Sequence, residues 1–488
     1  RAGDVRGIVS PTRSGEETML NLAIRGKEIT ITLPLPGGMF LSNALAAAAV
    51  GHALQLPLED VKRGLEQFQA MPGRMERISM GGATIINDAY KLGDMLRACR
   101  PDILTVLGGV HASALPNEAI KHFDVVVIGE GEKAFLQIYR TCHLIKKGVI
   151  INGESVSDLN ELPPLNYSLL DLPKYFLGKK PSFEHLYLKE PIIHLITSRG
   201  CIGRCPFCTN SIAKPKLRFF SPERVINEII YLHDKYNVSN FFIHDDEFLI
   251  DKQRFTKIFQ LAKKYGVDKW LQFVCQVRAQ SLHDTNVIWM LKELNCKACL
   301  IGFESHSSRT LKYLKCGTTT VQDHDKAIMK AEEAKLPVFG SFIFGSPSET
   351  VKEMEETLDW MLKIKYDVGF GLLIPFPGTE VFNQYVAKNG NHFDYDTMLM
   401  TNKLGDSVMV NSVISRHDFG CFIKKASSLL RIKKRLVEKG LIKTLMFHVF
   451  WIGVFKYPKS TLQILKYHSG DASGSWLCRF IKSNKPET

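Results

Sequence analysis

Cys201-Ile202-Gly203-Arg204-Cys205-Pro206-Phe207-Cys208 places three cysteines within eight residues. Thiolates are the ligands of iron–sulfur clusters, and three of them leave one iron of a 4Fe–4S cube without a protein ligand. A closed structural zinc site needs four ligands, and the nearby candidate for a fourth, His194, lies inside an apolar strand-like run. The spacing favours an iron–sulfur cluster, and structural zinc in a binding module remains the alternative.

Strand-like and helical patterns alternate on both sides of this motif, between Pro191 and Gly378. Such alternation predicts parallel strands joined by right-handed crossovers. Predicted strands cover 192–198, 240–244, 271–277, 298–303, 338–344 and 368–374, and predicted helices begin near Ser221, Asp251, Asp284, Thr319 and Glu349. The fold class expected for this region is α/β, a partial (β/α)6 barrel of the TIM type.

Polar and glycine-rich residues follow each predicted strand. Parallel α/β barrels build their sites at the carboxyl ends of the strands, so we expect these residues to converge there. In chain order they are the three cysteines, Asp245-Asp246-Glu247, Arg278, Glu304-Ser305, Gly345-Ser346-Pro347 and Pro375-Phe376-Pro377-Gly378-Thr379.

The cysteine motif, including the aromatic Phe207 before its last cysteine, resembles that of the radical S-adenosylmethionine (SAM) family. The resemblance implies that SAM chelates the open iron and is split into methionine and a 5′-deoxyadenosyl radical. It also implies SAM contacts by Phe207, Asp246, Glu304 and Ser305, and by Arg278 with the SAM carboxylate or a substrate anion. Surface ion pairs or barrel-end caps are the alternative roles for the polar residues.

Two glycine motifs precede the predicted barrel. Gly108-Gly109-Val110-His111 and Gly129-Glu130-Gly131-Glu132 each follow a β-rich run. They resemble the second half of the cobalamin-binding domain that accompanies many radical SAM enzymes, which implies cobalamin contacts by Gly108, Gly109, His111, Gly129 and Gly131. The chain has no Asp-x-His motif, so a cobalt-ligand role is not carried over to His111. The expected fold of this region is an incomplete Rossmann-like half-domain, and a plain α/β half-domain without cobalamin binding is the alternative.

Two motifs within the predicted barrel resemble the cobalamin-linked radical SAM group in particular. They are Gly345-Ser346-Pro347-Ser348-Glu349-Thr350 and Pro375-Phe376-Pro377-Gly378-Thr379. Cys296 and Cys299 form a further Cys-x-x-Cys pair. Without two more ligands we interpret these two as core thiols.

The amino-terminal segment resembles the middle of a Mur ligase, the family that adds amino acids to the peptidoglycan precursor. The resemblance rests on Leu35-Pro36-Gly37-Gly38 with the alanine-rich 42–49, on Gly73-Arg74 and on 85–90. The chain contains no Gly-x-x-Gly-Lys-[Ser/Thr] phosphate loop, so ATP-dependent ligation is not expected. We interpret the segment, an α+β fragment, as a remnant or a fused piece.

The domain limits predicted from these patterns are 1–90 (Mur-like fragment), 91–150 (half-domain), 151–185 (linker), 186–395 (radical SAM core) and 396–488 (basic helical region). A net charge of +13 is concentrated near the carboxyl end, and no nucleic-acid partner is expected from charge alone. Residues 424–435 are basic and residues 445–455 are apolar. We interpret the first segment as a solvated helix face and the second as a docking helix. Contact of both with a membrane surface, and a lipid-like substrate, is the alternative.

Eleven cysteines in 488 residues are too sparse for a disulfide scaffold, which points to a reducing, cytoplasmic compartment. No secretory signal opens the sequence, and its start at Arg1 indicates that the true amino terminus lies upstream. The expected function is radical SAM chemistry, namely methylation, rearrangement or cyclisation of a small molecule, with an electron donor such as a flavodoxin or ferredoxin. A cobalamin-independent radical SAM enzyme and a Mur-ligase remnant are the alternatives.

Overall fold

The computed structural model describes residues 5–11, 18–24, 27–33, 57, 59–60, 62–63, 83–170, 172–175, 183–213, 216–390, 409–445, 456–457, 460–461 and 464. The chain divides into two compact units, Arg1–Gly81 and Gly82–Thr488.

The first unit contains an antiparallel sheet of β1 (Val5–Pro11), β2 (Thr18–Ile24) and β3 (Lys27–Leu33). The apolar runs at 17–24 and 28–33 predict a strand pair, which the antiparallel pairing of β2 with β3 confirms. The sequence missed β1, which pairs with β2 along its whole length. The segments that carry most of the Mur-ligase resemblance, 35–49 and 73–74, lie outside the described residues.

The second unit begins with the half-domain, whose parallel sheet has the order β4-β5-β6. The sequence missed β6, and in the β-rich run that precedes Gly108 only Val106 and Leu107 form a strand. The predicted limit between residues 90 and 91 lies inside a helix, α1. The elements in chain order are α1 (Ala83–Cys99), β4 (Val106–Leu107), α2 (Val110–Ala114), α3 (Pro116–Ala119), β5 (Val125–Gly129), α4 (Glu132–Thr141) and β6 (Val149–Gly153).

A six-stranded parallel sheet, the partial barrel that the sequence predicted, follows. Neighbouring strands of this sheet follow one another along the chain, in the order β7, β10, β11, β12, β13 and β14. A separate antiparallel pair, β8 and β9, flanks the cysteines. The strands are β7 (Ile192–Leu195), β8 (Ser198–Arg199), β9 (Arg218–Phe219), β10 (Asn240–Ile243), β11 (Gln272–Val277), β12 (Cys296–Glu304), β13 (Val338–Phe344) and β14 (Asp367–Leu372). The prediction of one strand over 192–198 is wrong in one respect, because two separate strands, β7 and β8, lie there.

The helices between these strands begin where short polar side chains cap them. Ser221, Asp251 and Asp284 each accept a hydrogen bond from a backbone N–H of the first turn, and Thr320 and Thr350 form capping boxes with the residues three further on. The helices are α5 (Leu172–Tyr175), α6 (Asn210–Ala213), α7 (Pro222–Tyr236), α8 (Lys252–Lys264), α9 (Thr285–Glu293), α10 (Ser308–Leu314), α11 (Val321–Ala334), α12 (Val351–Lys363), α13 (Glu380–Asn389) and α14 (Arg416–Leu445). The sequence did not predict α10.

The main apolar core lies between the six-stranded sheet and its helices. Phe241, Phe273, Phe303, Phe342 and Phe344 are buried there almost completely. Each such side chain stabilises the fold by about 1.5–3 kcal/mol relative to an exposed one. This core fixes the strands, and therefore the loops at their carboxyl ends.

Helix α14 covers part of this core through Phe419, Phe422 and Leu429. The predicted solvated basic face is wrong for Lys433, which is buried and donates hydrogen bonds to the carbonyls of Met361 and Tyr366 at 2.7 and 2.8 Å. The apolar residues 446–455 lie outside the described residues. None of the described helices has the length and apolar character that crossing a bilayer requires.

Candidate active site

The cysteine loop begins directly after β8. Its backbone turns at Gly200, whose φ of 89° is a conformation that side chains other than glycine's rarely adopt. The Gly203 N–H donates to Cys201 Sγ at 3.3 Å. A Cβ at Gly203 would lie 3.4 Å from Cys201 Sγ and 3.7 Å from Cys205 Sγ, so the missing side chain leaves space between these two sulfur atoms.

The donor set of the loop suits an iron–sulfur cluster. Cys201, Cys205 and Cys208 are partly exposed, and burial raises the pKa of the Cys208 thiol. Three thiolates are the protein donor set of a 4Fe–4S cube with one free iron. The loop therefore fits the cluster that the sequence predicted.

Asp245 anchors the start of the cysteine loop. Its buried carboxylate accepts hydrogen bonds from the Thr197 hydroxyl at 2.6 Å and from the Ser198 N–H at 3.1 Å. Arg254 donates to the Thr197 carbonyl at 2.9 Å. These bonds tie the end of β7 to β10 and α8, so the first cysteine follows a rigid segment.

Lys315 and Glu304 form an ion pair close to Cys205. The Lys315 ammonium lies 2.8 Å from Glu304 Oε1, and Glu304 has a left-handed φ of 61° at the end of β12. Burial raises the pKa of the Cys205 thiol to about 11, while the charge of Lys315 acts to lower it. Burial alone would lower the pKa of Lys315, but Glu304 and Cys205 raise it, so the ammonium stays charged.

Arg278 pairs with Glu247 at the ends of β11 and β10. Its Nε lies 3.5 Å from Glu247 Oε2, and its Nη2 donates to the Thr318 carbonyl at 3.2 Å. Burial raises the pKa of Glu247. Asp246, the predicted SAM contact, is exposed and accepts a hydrogen bond from Asn210 Nδ2 at 2.7 Å. Both predicted residues lie at strand ends on the side of the cysteines.

Two further predicted contacts have other partners. The Ser305 side chain is fully buried, and its hydroxyl is hydrogen-bonded to Thr357 Oγ1 at 3.0 Å. It also accepts a hydrogen bond from the Ser307 N–H at 3.1 Å. The Thr357 contact directs the side chain toward α12. Phe207 packs against a small apolar group that includes Leu373 and Val381. The SAM roles of Phe207 and Ser305 stay predictions, and these contacts argue against such a role for Ser305.

The two motifs after β13 and β14 organise the same end of the barrel. Glu349 accepts hydrogen bonds from the N–H groups of Gly345 and Ser346 at 2.7 and 3.1 Å, and burial raises its pKa to about 7. Gly378 has a φ of 81°, and a Cβ there would lie 2.9 Å from Ala114 and 3.1 Å from Ile212. The half-domain therefore packs directly on a barrel loop at Gly378.

The glycine turns of the half-domain lie side by side. The Ser113 hydroxyl donates to the Gly109 carbonyl at 2.8 Å and accepts from the Gly129 N–H at 2.9 Å. Gly109 and Gly129 have φ values of 97° and 82°, while a Cβ at Gly109 or Gly131 would meet no atom within 4 Å. Gly108 is exposed beside them. These turns leave an open edge at the carboxyl ends of β4 and β5.

His111 is partly buried and contacts α1. Its Nε2 is 2.8 Å from the Tyr90 hydroxyl, and burial lowers its pKa to about 4. Burial raises the pKa of Tyr90, so the phenol stays protonated beside a neutral imidazole. This partner gives His111 a structural role within the half-domain.

Two arginines join the half-domain to the cysteine loop. The Arg218 guanidinium pairs with both carboxylate oxygens of Glu130, and their side chains are 10% and 17% exposed. Arg199 Nη2 lies 2.6 Å from Glu132 Oε1. Because Arg199 belongs to β8 and Arg218 to β9, the Gly129–Glu132 turn is held beside the strand pair that frames the cysteines. We call these four residues the arginine clamp.

The fold and the cysteine loop together define a radical SAM domain, and comparison with known proteins agrees. Residues 195–361 match the family model described as the Radical SAM superfamily. The chain is therefore an enzyme of the kind that uses a 4Fe–4S cluster and SAM, as the sequence predicted.

Individual relatives are similar to different shares of the chain. An uncharacterized methyltransferase of Pyrococcus horikoshii is 29% identical over 384 residues, 74% of this chain and 78% of the relative. A structure of the cobalamin-dependent S-adenosylmethionine radical enzyme OxsB, with aqua-cobalamin and S-adenosylmethionine bound, aligns with a TM-score of 0.51 at 14% identity, covering 98% of this chain and 84% of that one. UDP-N-acetylmuramate–L-alanine ligase of Salinibacter ruber is 38% identical over 90 residues, 18% of this chain and 19% of the ligase. The Mur-ligase resemblance thus covers a fragment only.

Sequence reasoning missed several residues of this site. It passed over Lys315, because no motif marks it and the helix before it was not predicted. It also passed over Arg199 and Arg218, although both lie close to the cysteines in sequence and carry a charge opposite to that of the Glu130 and Glu132 motif. It chose Asp246 over Asp245, whose buried hydrogen bonds do not show in the sequence.

Proposed function

We propose that this chain is a cobalamin-associated radical SAM methyltransferase that acts on a small molecule. The arginine clamp is the observation that carries the proposal. It supports a site in which the open glycine turns of the half-domain and the three cysteines contribute to one reaction. The Pyrococcus relative is named a methyltransferase, and OxsB is named cobalamin-dependent.

The residues near the cysteine loop have separate roles in this proposal. Cys201, Cys205 and Cys208 would hold the cluster, which would supply the electron for the reductive cleavage of SAM to methionine and a 5′-deoxyadenosyl radical. Lys315 places a positive charge beside Cys205, which offsets the negative charge of three thiolates in a partly buried site. Glu304 holds the lysine in place and would offer its remaining oxygen to the amino group of SAM.

The half-domain would hold cobalamin at the carboxyl ends of β4 and β5. Ligands of open parallel sheets bind at this edge, and Gly109, Gly129 and Gly131 let the backbone approach a large planar group closely. The residues present fit such a ligand, because a Cβ at Gly109 or Gly131 would meet open space. His111 bonds to Tyr90 instead, so we propose no cobalt ligation by this side chain.

Methylation at an unactivated carbon is the reaction we favour, with rearrangement or cyclisation as the second candidate class. An electron donor of the flavodoxin or ferredoxin type would reduce the cluster. A lipid-like substrate is a narrower version of the proposal, supported only by the basic charge of the carboxyl-terminal region.

The test is anaerobic reconstitution with iron, sulfide and cobalamin, followed by assay of SAM products. We expect about four irons per chain, bound cobalamin, and 5′-deoxyadenosine formation that is lost in Cys205→Ala. Cys142→Ser, which removes an exposed thiol far along the sequence, is the matched control and should change nothing. Iron uptake with 5′-deoxyadenosine but without cobalamin would leave the cobalamin-independent enzyme as the answer.

A further inference from the structure

A second group of thiols lies within the barrel wall. Cys275 on β11 and Cys296 and Cys299 on β12 bring their three sulfur atoms within 4.8 Å of one another. All three residues are buried, at 0%, 6% and 0% exposure. We call them the buried trio. They are separate from the cysteine loop, because they lie in the core between the sheet and its helices.

A strand irregularity brings the trio together. Side chains of a regular strand alternate between its faces, so Cys296 and Cys299, three residues apart, would point to opposite sides. The pairing of β11 with β12 shifts between Phe273 and Val274, whose partners are Cys296 and Ala298. The extra residue returns both cysteines to the helix-facing side, where Cys299 pairs in register with Cys275. Sequence spacing had left Cys296 and Cys299 without further ligands, and the fold supplies a third.

The trio is enclosed by the main apolar core. All three side chains belong to the same buried cluster, which also contains Phe273 and Ile301. Cys296 Sγ donates a weak hydrogen bond to the Ala298 carbonyl at 3.5 Å. Within the described residues, sulfur is therefore the side-chain donor that this place offers to a metal ion.

We propose that Cys275, Cys296 and Cys299 form a binding site for a thiophilic monovalent ion, Cu(I). Soft sulfur ligands select Cu(I), zinc and iron–sulfur clusters among the common biological metals. Structural zinc takes four ligands, and no histidine, carboxylate or further cysteine of the described chain joins the trio.

Loading would accompany folding, because the trio is enclosed. The experiment therefore expresses the full chain with copper in the medium, purifies it anaerobically, reconstitutes its iron–sulfur cluster and washes it with a Cu(I) chelator. Copper and iron are then counted in the same sample, and X-ray absorption at the copper edge reports the number of sulfur ligands. The iron count shows separately whether the cysteine loop is loaded, so a failure of the proposed function is distinguishable.

We expect one copper per chain, bound by three sulfur atoms, and at least a tenfold loss of copper in Cys275→Ala and in Cys299→Ser. The serine variant keeps the size of the side chain, so copper loss in a chain that folds normally reports on ligation rather than packing. Cys421→Ser, an exposed thiol, should retain full copper. Copper at the same level in the wild type and in Cys299→Ser, a copper edge showing fewer than three sulfurs, or preferential zinc occupancy would overturn the proposal.

Discussion

The Lys315 ammonium lies 2.8 Å from Glu304 Oε1, and this pair is largely withdrawn from solvent at 19% and 10% side-chain exposure. Gly302 makes the pairing possible, because a Cβ there would come within 2.4 Å of the same carboxylate oxygen and 3.4 Å of the ammonium nitrogen. The two side chains meet where β12 ends, and the lysine charge acts on Cys205. The pair therefore connects the fourth strand of the barrel to the cysteine loop.

Lys315→Met should reduce both stability and SAM cleavage. Removing one partner of a buried pair leaves an uncompensated charge, which costs about 3 kcal/mol. We also expect at least a tenfold lower rate of 5′-deoxyadenosine formation, because Cys205 and Cys208 lose a positive charge that acts on both thiols. Denaturant unfolding and product assay measure the two effects. The double variant Lys315→Met, Glu304→Gln should recover part of the stability but not the rate, and full recovery of the rate would rule out an electrostatic role.

Arg218→Met should separate SAM cleavage from methyl transfer. The arginine holds Glu130 beside the cysteine loop, so its loss would release the glycine turns while leaving the three cysteines in place. We expect weaker retention of cobalamin and at least a tenfold loss of methylated product, with 5′-deoxyadenosine formation within about twofold of wild type. Arg140→Met, an exposed arginine on α4, is the control. Equal losses of both products would argue against a separate half-domain role.

The sequence predicted the barrel well because its signals are local. Each strand is a short apolar run, and Ser221, Asp251 and Asp284 mark helix starts by side-chain caps that any reader of the sequence can see. The polar residues after the strands then follow from topology, since parallel strands end on the same side. Predicted boundaries erred where a turn interrupts an apolar run, as between β7 and β8.

Long-range pairings were beyond the reach of the sequence. Glu130 and Arg218 are 88 residues apart, and nothing in either neighbourhood identifies the other as its partner. The third member of the buried trio depends on a register shift that a single sequence does not reveal. Ser305 shows the reverse case, in which the sequence suggested a contact that the structure argues against. Its position after a strand suggested a contact with SAM, but its hydroxyl bonds to Thr357.

The half-domain should lose stability as the pH falls from about 6.5 to about 4 because of His111. Burial lowers the pKa of His111 from 6.5 to about 4 in the folded state, so over this range the unfolded chain binds a proton that the folded chain does not. The stabilising contribution is complete above the unfolded pKa and declines below it, by about 1–2 kcal/mol after allowance for solvent screening of this partly buried group.

Hydrogen exchange over residues 106–129 at pH 7 and pH 5 measures this effect within the half-domain itself. His111→Gln should reduce the difference between the two pH values by more than half. His143→Gln, an exposed histidine of the same half-domain, should leave the difference as it is in the wild type. A pH response that survives in His111→Gln would assign the effect to another group.

Gly378→Ala should loosen the contact between the half-domain and the barrel. The φ of 81° costs an alanine about 1–2 kcal/mol, and its Cβ would approach Ala114 to 2.9 Å, so the neighbouring helix must shift. We expect unfolding to be easier by about 1–3 kcal/mol and amide exchange in Val110–Ala114 to be faster. Gly371→Ala is the matched control, because a Cβ there meets no atom within 4 Å and β14 favours a side chain, so its stability should stay equal or rise slightly. If both variants respond alike, close packing at Gly378 does not hold the half-domain against the barrel.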